Sequence, residues 1–112
     1  MLVLAIVIIF SKSYCPYSKR AKGVLLEKYH IEPDPYVVEL DKHPLGSALQ
    51  DQLELKTGRR TVPNIMINQN SIGGADDIIA LDREGKLIDT VQTYGQKKVE
   101  ITERFTSEKP AA

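Results

Sequence analysis

A chain of 112 residues is long enough for one domain with a single core, and its 42% hydrophobic and 27% charged residues are ordinary for a globular chain. Fifteen basic and fifteen acidic residues cancel, so no whole-chain charge points to nucleic acid or to an anionic membrane as partner. The one cysteine, Cys15, excludes an internal disulfide framework and any all-cysteine metal site within one chain.

The opening residues, MLVLAIVIIF, are too few to span a bilayer, and no basic residue precedes them as in a secretory signal. Val7, Ile8, Ile9 and Phe10 form a β-branched and aromatic run that predicts a buried strand. The residues before it read as its lead-in, with a truncated hydrophobic anchor over residues 2–5 as the alternative. Pro16 suits the first turn of a helix. Ala21, Val24, Leu25 and Leu26 then recur at helical spacing while Lys19, Arg20, Lys22, Glu27 and Lys28 fill the other faces, which predicts a helix to about Tyr29.

Cys15 therefore falls at or just before a helix start, at the tip of a strand. Unpaired N–H groups and the positive end of the macrodipole stabilise a thiolate there, and Lys12, Lys19 and Arg20 add positive potential. The expectation is a depressed thiol pKa and a nucleophilic Cys15. A small buried thiol is the competing reading; the polar neighbours Lys12, Ser13, Ser18 and Lys19 favour exposure.

Further on, the two prolines of IEPDP predict an irregular loop over residues 30–35. Tyr36, Val37, Val38 and Leu40 make a second strand that contains Glu39. Residues 41–45 turn into a helix over residues 46–56 with Leu49, Leu53 and Leu55 on its inner side and Gly58 as C-cap. Ile65, Met66 and Ile67 give a third strand, headed by a Val62-Pro63 turn suited to a cis bond. Asn68, Gln69 and Asn70 are hairpin residues leading to a short partner at Ser71 and Ile72 that ends at Gly73-Gly74. Asp76 and Asp77 cap a third helix with Ile78, Ile79 and Leu81 inside, ended by Gly85, and residues 86–94 add a further helical segment. Beyond Gly95 the chain turns polar and residues 106–112 read as a disordered tail, leaving residues 1–105 as the domain.

The order β-α-β-α-β-β-α specifies an α/β fold. A right-handed crossover makes the first two strands parallel and the hairpin supplies an antiparallel edge, giving a four-stranded mixed sheet with helices on both faces. Reactive groups cluster at the carboxyl ends of strands in such sheets, where Cys15 lies.

Lys12 with CPYS at positions 15–18, TVP at 61–63, and Gly73-Gly74 followed by acids at 76 and 77 resemble, in order and spacing, a glutaredoxin of the thioredoxin fold. The resemblance covers about residues 7–87. The phrase VVELDKHPLGSALQDQLELKTGRRTVPN is further similar to fungal single-cysteine glutaredoxins of the secretory pathway, which implies the endoplasmic reticulum or Golgi lumen, with the cytoplasm as the alternative.

The resemblance implies a glutathione-dependent thiol-disulfide oxidoreductase with Cys15 as nucleophile and Pro16 and Ser18 as its active-site neighbours. Ser18 stands where the family usually has a second cysteine, which implies the monothiol route, the reduction of glutathione mixed disulfides through one thiol. By the same resemblance Lys12, Gln50 and Arg60 hold the glycyl carboxylate of glutathione. Val62, before Pro63, pairs its backbone with the cysteinyl part, and Asp76 and Asp77 lie at the γ-glutamyl end. Tyr17 flanks the sulfur, Thr61 and Gly74 complete the set, and Ala75 stands where other members often have cysteine or another small residue. Without the motif, Arg59 and Arg60 read as a solvated basic pair. His30 and His43 have no ligand partners at metal spacing and read as surface residues, and Tyr29, Tyr36 and Tyr94 as packing.

Two other functions compete. Some glutaredoxins hold a [2Fe–2S] cluster between two subunits, and Cys15 is then the metal ligand, one from each chain, with two glutathiones. Ser18 is compatible with that, whereas Pro16 stiffens the loop and in the family tends to accompany absence of a cluster. The third reading is a thioredoxin-fold adaptor without turnover. The partners expected are glutathione and glutathionylated proteins or small disulfides, with no nucleic acid and no membrane. A monomer is expected for the enzyme and a dimer for the cluster module.

Overall fold

The computed structural model describes residues 5–104. Its centre is the apolar run near the chain start, which forms β1, Val7–Ser11, with alternate residues fully buried. An inner strand needs a partner on each side, and β1 has them. On one side it pairs in parallel with β3, Tyr36–Glu39, setting Ile8 opposite Tyr36 and Ser11 opposite Glu39. On the other it pairs antiparallel with β4, Asn64–Ile67, which in turn pairs antiparallel with β5, Asn70–Gly73. The sheet order is β3-β1-β4-β5. All four residues of β4 are buried, as a strand covered on both faces requires.

The helix after Cys15 is α1, Pro16–Lys22, continued without a break by a π-helical turn over Gly23–Lys28. It ends one residue before the expected Tyr29. α2 spans Gly46–Thr57 and closes on Gly58, whose φ of 77° lets its N–H reach the Glu54 carbonyl at 2.8 Å. α3, Ala75–Arg83, and α4, Leu87–Gly95, follow. Val7, Ile9, Ile65 and Ile67 of the sheet meet Leu25, Ile78, Leu87 and Val91 in one core.

Three expectations are corrected. Residues 30–35 are not all loop: Tyr29–Glu32 is a strand, β2, paired antiparallel with β6, Glu100–Glu103, so that Ile31 faces Ile101. Pro33 lies just past the strand and costs the ladder nothing, while Tyr29, Ile31 and Ile101 give the pair a buried apolar face. Leu55 is 79% exposed, because it lies about 200° around α2 from the buried Leu53. Tyr36 and Tyr94 are exposed rather than packing residues; Tyr29 is buried. The disordered tail over residues 106–112 and most of the possible anchor over 2–5 lie outside the described residues.

Candidate active site

Four residues connect β1 to α1, and polar contacts fix them from three directions. Ser11 at the strand end donates its hydroxyl to Glu39 Oε1 at 2.7 Å, and Lys22 of α1 grips Oε2 of the same carboxylate at 2.6 Å. Ser13 donates its N–H to Asp41 Oδ1 at 2.9 Å and its hydroxyl to Oδ2. These two donors, the hydroxyl first, hold the Asp41 carboxyl below its ordinary pKa. Ser18 is fully buried, and its Oγ accepts the Lys12 N–H at 3.3 Å.

Cys15 is the N-cap of α1, in extended backbone conformation with φ −81° and ψ 121°. Its N–H reaches the Lys12 carbonyl at 3.0 Å and its own carbonyl accepts the Lys19 N–H at 3.0 Å. The thiol is half-buried. That burial acts first and raises the thiol pKa. The backbone N–H and hydroxyl of Ser18, the Tyr17 N–H and the Lys12 charge together outweigh it, so the pKa lies below its ordinary value. Of the three cations named from the sequence, Lys12 supplies the charge effect, while the helix-end donors contribute more.

Two shallow hollows flank the Thr61-Val62 strip, which lines both. One, of about 420 Å³, contains Cys15 with Lys12, Tyr14, Gln50 and Arg60. The other, of about 360 Å³, contains Tyr17, Arg59 and Pro63 opposite Gly74, Asp76 and Asp77 at the start of α3. The Val62-Pro63 peptide is cis. All the site residues named from the sequence thus line these two hollows, except the neighbours Pro16 and Ser18, which follow Cys15 in α1.

The charges are distributed unevenly between them. Arg60 Nη1 is bound to Asp51 Oδ1 at 2.6 Å and Glu54 Oε1 at 3.2 Å, and Gln50 donates to the Arg60 carbonyl at 2.8 Å. Asp77 Oδ2 accepts the Gly74 N–H at 2.9 Å, the expected cap, and lies 3.8 Å from Arg59 Nη2. Asp76 makes no ion pair with another described residue. Arg59 and Tyr14 were not named from the sequence as site residues. Arg59 does not share the fate of Arg60 as one solvated pair; the two enter different hollows.

The sequence profile of the glutaredoxin family matches residues 7–72, more than half of the chain. This chain belongs to the glutaredoxin family. Monothiol glutaredoxin-7 of Saccharomyces cerevisiae is 43% identical over 101 residues, 90% of this chain and 50% of its own length. Glutaredoxin-C4 of Arabidopsis thaliana is 43% identical over 95 residues, 85% of this chain and 68% of its own. The chain thus spans half the length of the yeast relative. Among solved structures, the holo form of glutaredoxin C1 from Populus tremula x tremuloides superposes with a TM-score of 0.70 at 39% identity, covering 80% of this chain and 78% of that one. The complex of buckwheat glutaredoxin with glutathione gives 0.68 at 36% identity, covering 80% and 79%.

The fold is accordingly the thioredoxin fold, and membership in the glutaredoxin family supports a glutathione-dependent redox function. Among the described residues no group of three or more His, Cys, Asp or Glu is arranged to hold a metal ion, and no helix is long and apolar enough to cross a membrane.

Proposed function

We propose that this glutaredoxin reduces glutathione mixed disulfides through Cys15 alone. The observation that carries the reading is the position of the single thiol: half-buried, with its pKa lowered, in a hollow that continues past Val62 to the start of α3. A tripeptide bearing a carboxylate at one end and an ammonium and a carboxylate at the other matches that charge layout. Lys12, Gln50 and Arg60 meet its glycyl carboxylate, and the backbone of Val62 beside Pro63 pairs with its cysteinyl unit. Thr61 lines the groove, Tyr17 flanks the sulfur, and Gly74, Asp76 and Asp77 receive the γ-glutamyl end. That the buckwheat relative was solved as a glutathione complex supports glutathione as the ligand.

The Cys15 thiolate attacks the glutathionyl sulfur, forming a bond to it as the substrate sulfur leaves with the bonding pair and takes a proton from solvent. A second glutathione thiolate attacks the glutathionyl sulfur on Cys15, releasing glutathione disulfide and restoring the Cys15 thiolate. Asp76, Asp77 and the cations hold the glutathionyl unit so that the two sulfurs approach in line. Ser18 and the helix-end N–H groups stabilise Cys15 as attacking and as leaving thiolate.

A [2Fe–2S] cluster needs four ligands, and one chain supplies only the Cys15 thiolate; Ser18, beside it, is buried and bonded to Lys12. A cluster bridged between two chains would instead take Cys15 from each and a thiolate from each of two glutathiones, and a coloured, nearly inactive protein would mark it. Incubation with glutathione disulfide followed by intact mass spectrometry tests the enzyme reading. One glutathionyl adduct on the wild type, removed by free glutathione and absent from Cys15→Ser, is expected. No adduct on the wild type, or one that glutathione does not remove, overturns it.

A further inference from the structure

The γ-glutamyl end of glutathione carries an ammonium and a carboxylate on one carbon, so a site that recognises it needs an anion and a cation side by side. The hollow at the start of α3 has both. Asp76 is exposed there and unpaired among the described residues, and the cation is Arg59.

We propose that Arg59 binds the α-carboxylate of the γ-glutamyl unit, with Asp77 as its positioning residue and Asp76 taking the ammonium. This rests on the reading of the two hollows as a glutathione site. Arg59 is anchored at its backbone, where its N–H reaches the Thr57 hydroxyl at 3.2 Å, and that hydroxyl is itself tied to the Leu53 carbonyl at 2.7 Å. Its guanidinium then leans over Gly74, where a Cβ would come within 3.1 Å of Nη1. Glycine at 74 leaves that path open. Nη2 lies 3.8 Å from Asp77 Oδ2, the oxygen that also caps the Gly74 N–H. Asp77 therefore steers one edge of the guanidinium and leaves the other N–H donors toward the hollow. Arg60 cannot substitute, because it lines the other hollow.

The test compares three mixed disulfides of one small thiol: with glutathione, with 4-aminobutyryl-cysteinylglycine, which lacks only the α-carboxylate, and with glutaryl-cysteinylglycine, which lacks only the ammonium. Arg59→Gln lowers kcat/KM for the glutathione disulfide about fivefold to tenfold, the worth of a charge-assisted contact at a part-exposed site. It lowers the 4-aminobutyryl disulfide less than about twofold, and the glutaryl disulfide falls in step with glutathione. Arg59→Lys recovers part of the loss, and Asp77→Asn weakens discrimination in the same direction as Arg59→Gln. Equal loss on all three disulfides, or no loss on any, overturns the proposal while leaving Cys15-dependent turnover in place. Absence of Cys15-dependent turnover of every disulfide by the wild type overturns the glutathione reading, and the Arg59 assignment with it.

Discussion

Ser18→Ala isolates the hydroxyl that stands where the family usually has a second thiol. Ser18 is fully buried, accepts the Lys12 N–H at 3.3 Å and turns its N–H and hydroxyl toward the Cys15 sulfur. Alanine keeps the helix and nearly the volume, so the loss is confined to two hydrogen bonds. The orphaned Lys12 N–H costs about 1 kcal/mol, or roughly 5 °C in Tm for a domain of this size. Loss of one donor to the thiolate costs about another 1 kcal/mol, a factor of about five in the ratio of thiolate to thiol. A donor favours the charged form, so its removal raises the thiol pKa. The assay is the rate of alkylation by iodoacetamide from about pH 4 to about pH 9, a range that brackets activated thiols. The midpoint moves to higher pH and the rate below it falls about two- to threefold, the roughly fivefold loss of thiolate being partly offset by the greater nucleophilicity of the more basic thiolate. Above both midpoints the variant reacts up to about twofold faster, because its more basic thiolate is the better nucleophile. An unmoved or lowered midpoint in a folded variant refutes the role assigned to Ser18.

Arg60→Ala raises the KM for glutathione a few-fold with little change in the thiol pKa, because Asp51 and Glu54 already share the Arg60 charge; a large pKa change at unaltered KM contradicts the assignment. Ser18→Cys permits an internal disulfide that slows the monothiol cycle, read as loss of both free thiols under mild oxidation. Two thiols that stay free mean that positions 15 and 18 do not face each other. Asp41 has a folded pKa below its unfolded value, so its contribution is present above the ordinary carboxylate pKa of about 3.9 and is lost as pH falls through the folded value. Asp41→Asn therefore lowers Tm at neutral pH and flattens the acid limb of the curve of Tm against pH; an acid limb as steep as the wild type's contradicts that role.

The four-stranded sheet was legible because its signals are local. A β-branched run at Val7 to Phe10, a hairpin at Asn68 and Gln69, and a proline just after Cys15 each specify their own few residues. The β2–β6 pair was not, because it joins Ile31 to Ile101 across most of the chain, and each four-residue strand is too short to show a period on its own. Two prolines nearby pulled the reading toward loop, although both lie beyond the last paired residue, Glu32. At the site, the motifs CPYS, TVP and the glycine pair marked the residues that line the two hollows. Arg59 escaped because the direction taken by two adjacent arginines depends on how the chain leaves α2 through the left-handed Gly58. The sharing of Asp77 between a cap and an ion pair is likewise visible only once Gly74 and Arg59 are brought together in space.

The most direct test of the central claim is the rate of glutathione-dependent reduction of a small glutathione mixed disulfide by the purified protein, beside Cys15→Ser, with an absorbance spectrum of the same anaerobic sample. Turnover by the wild type alone, from a colourless sample, is the predicted result. A coloured and nearly inactive wild type, or turnover that survives in Cys15→Ser, contradicts it.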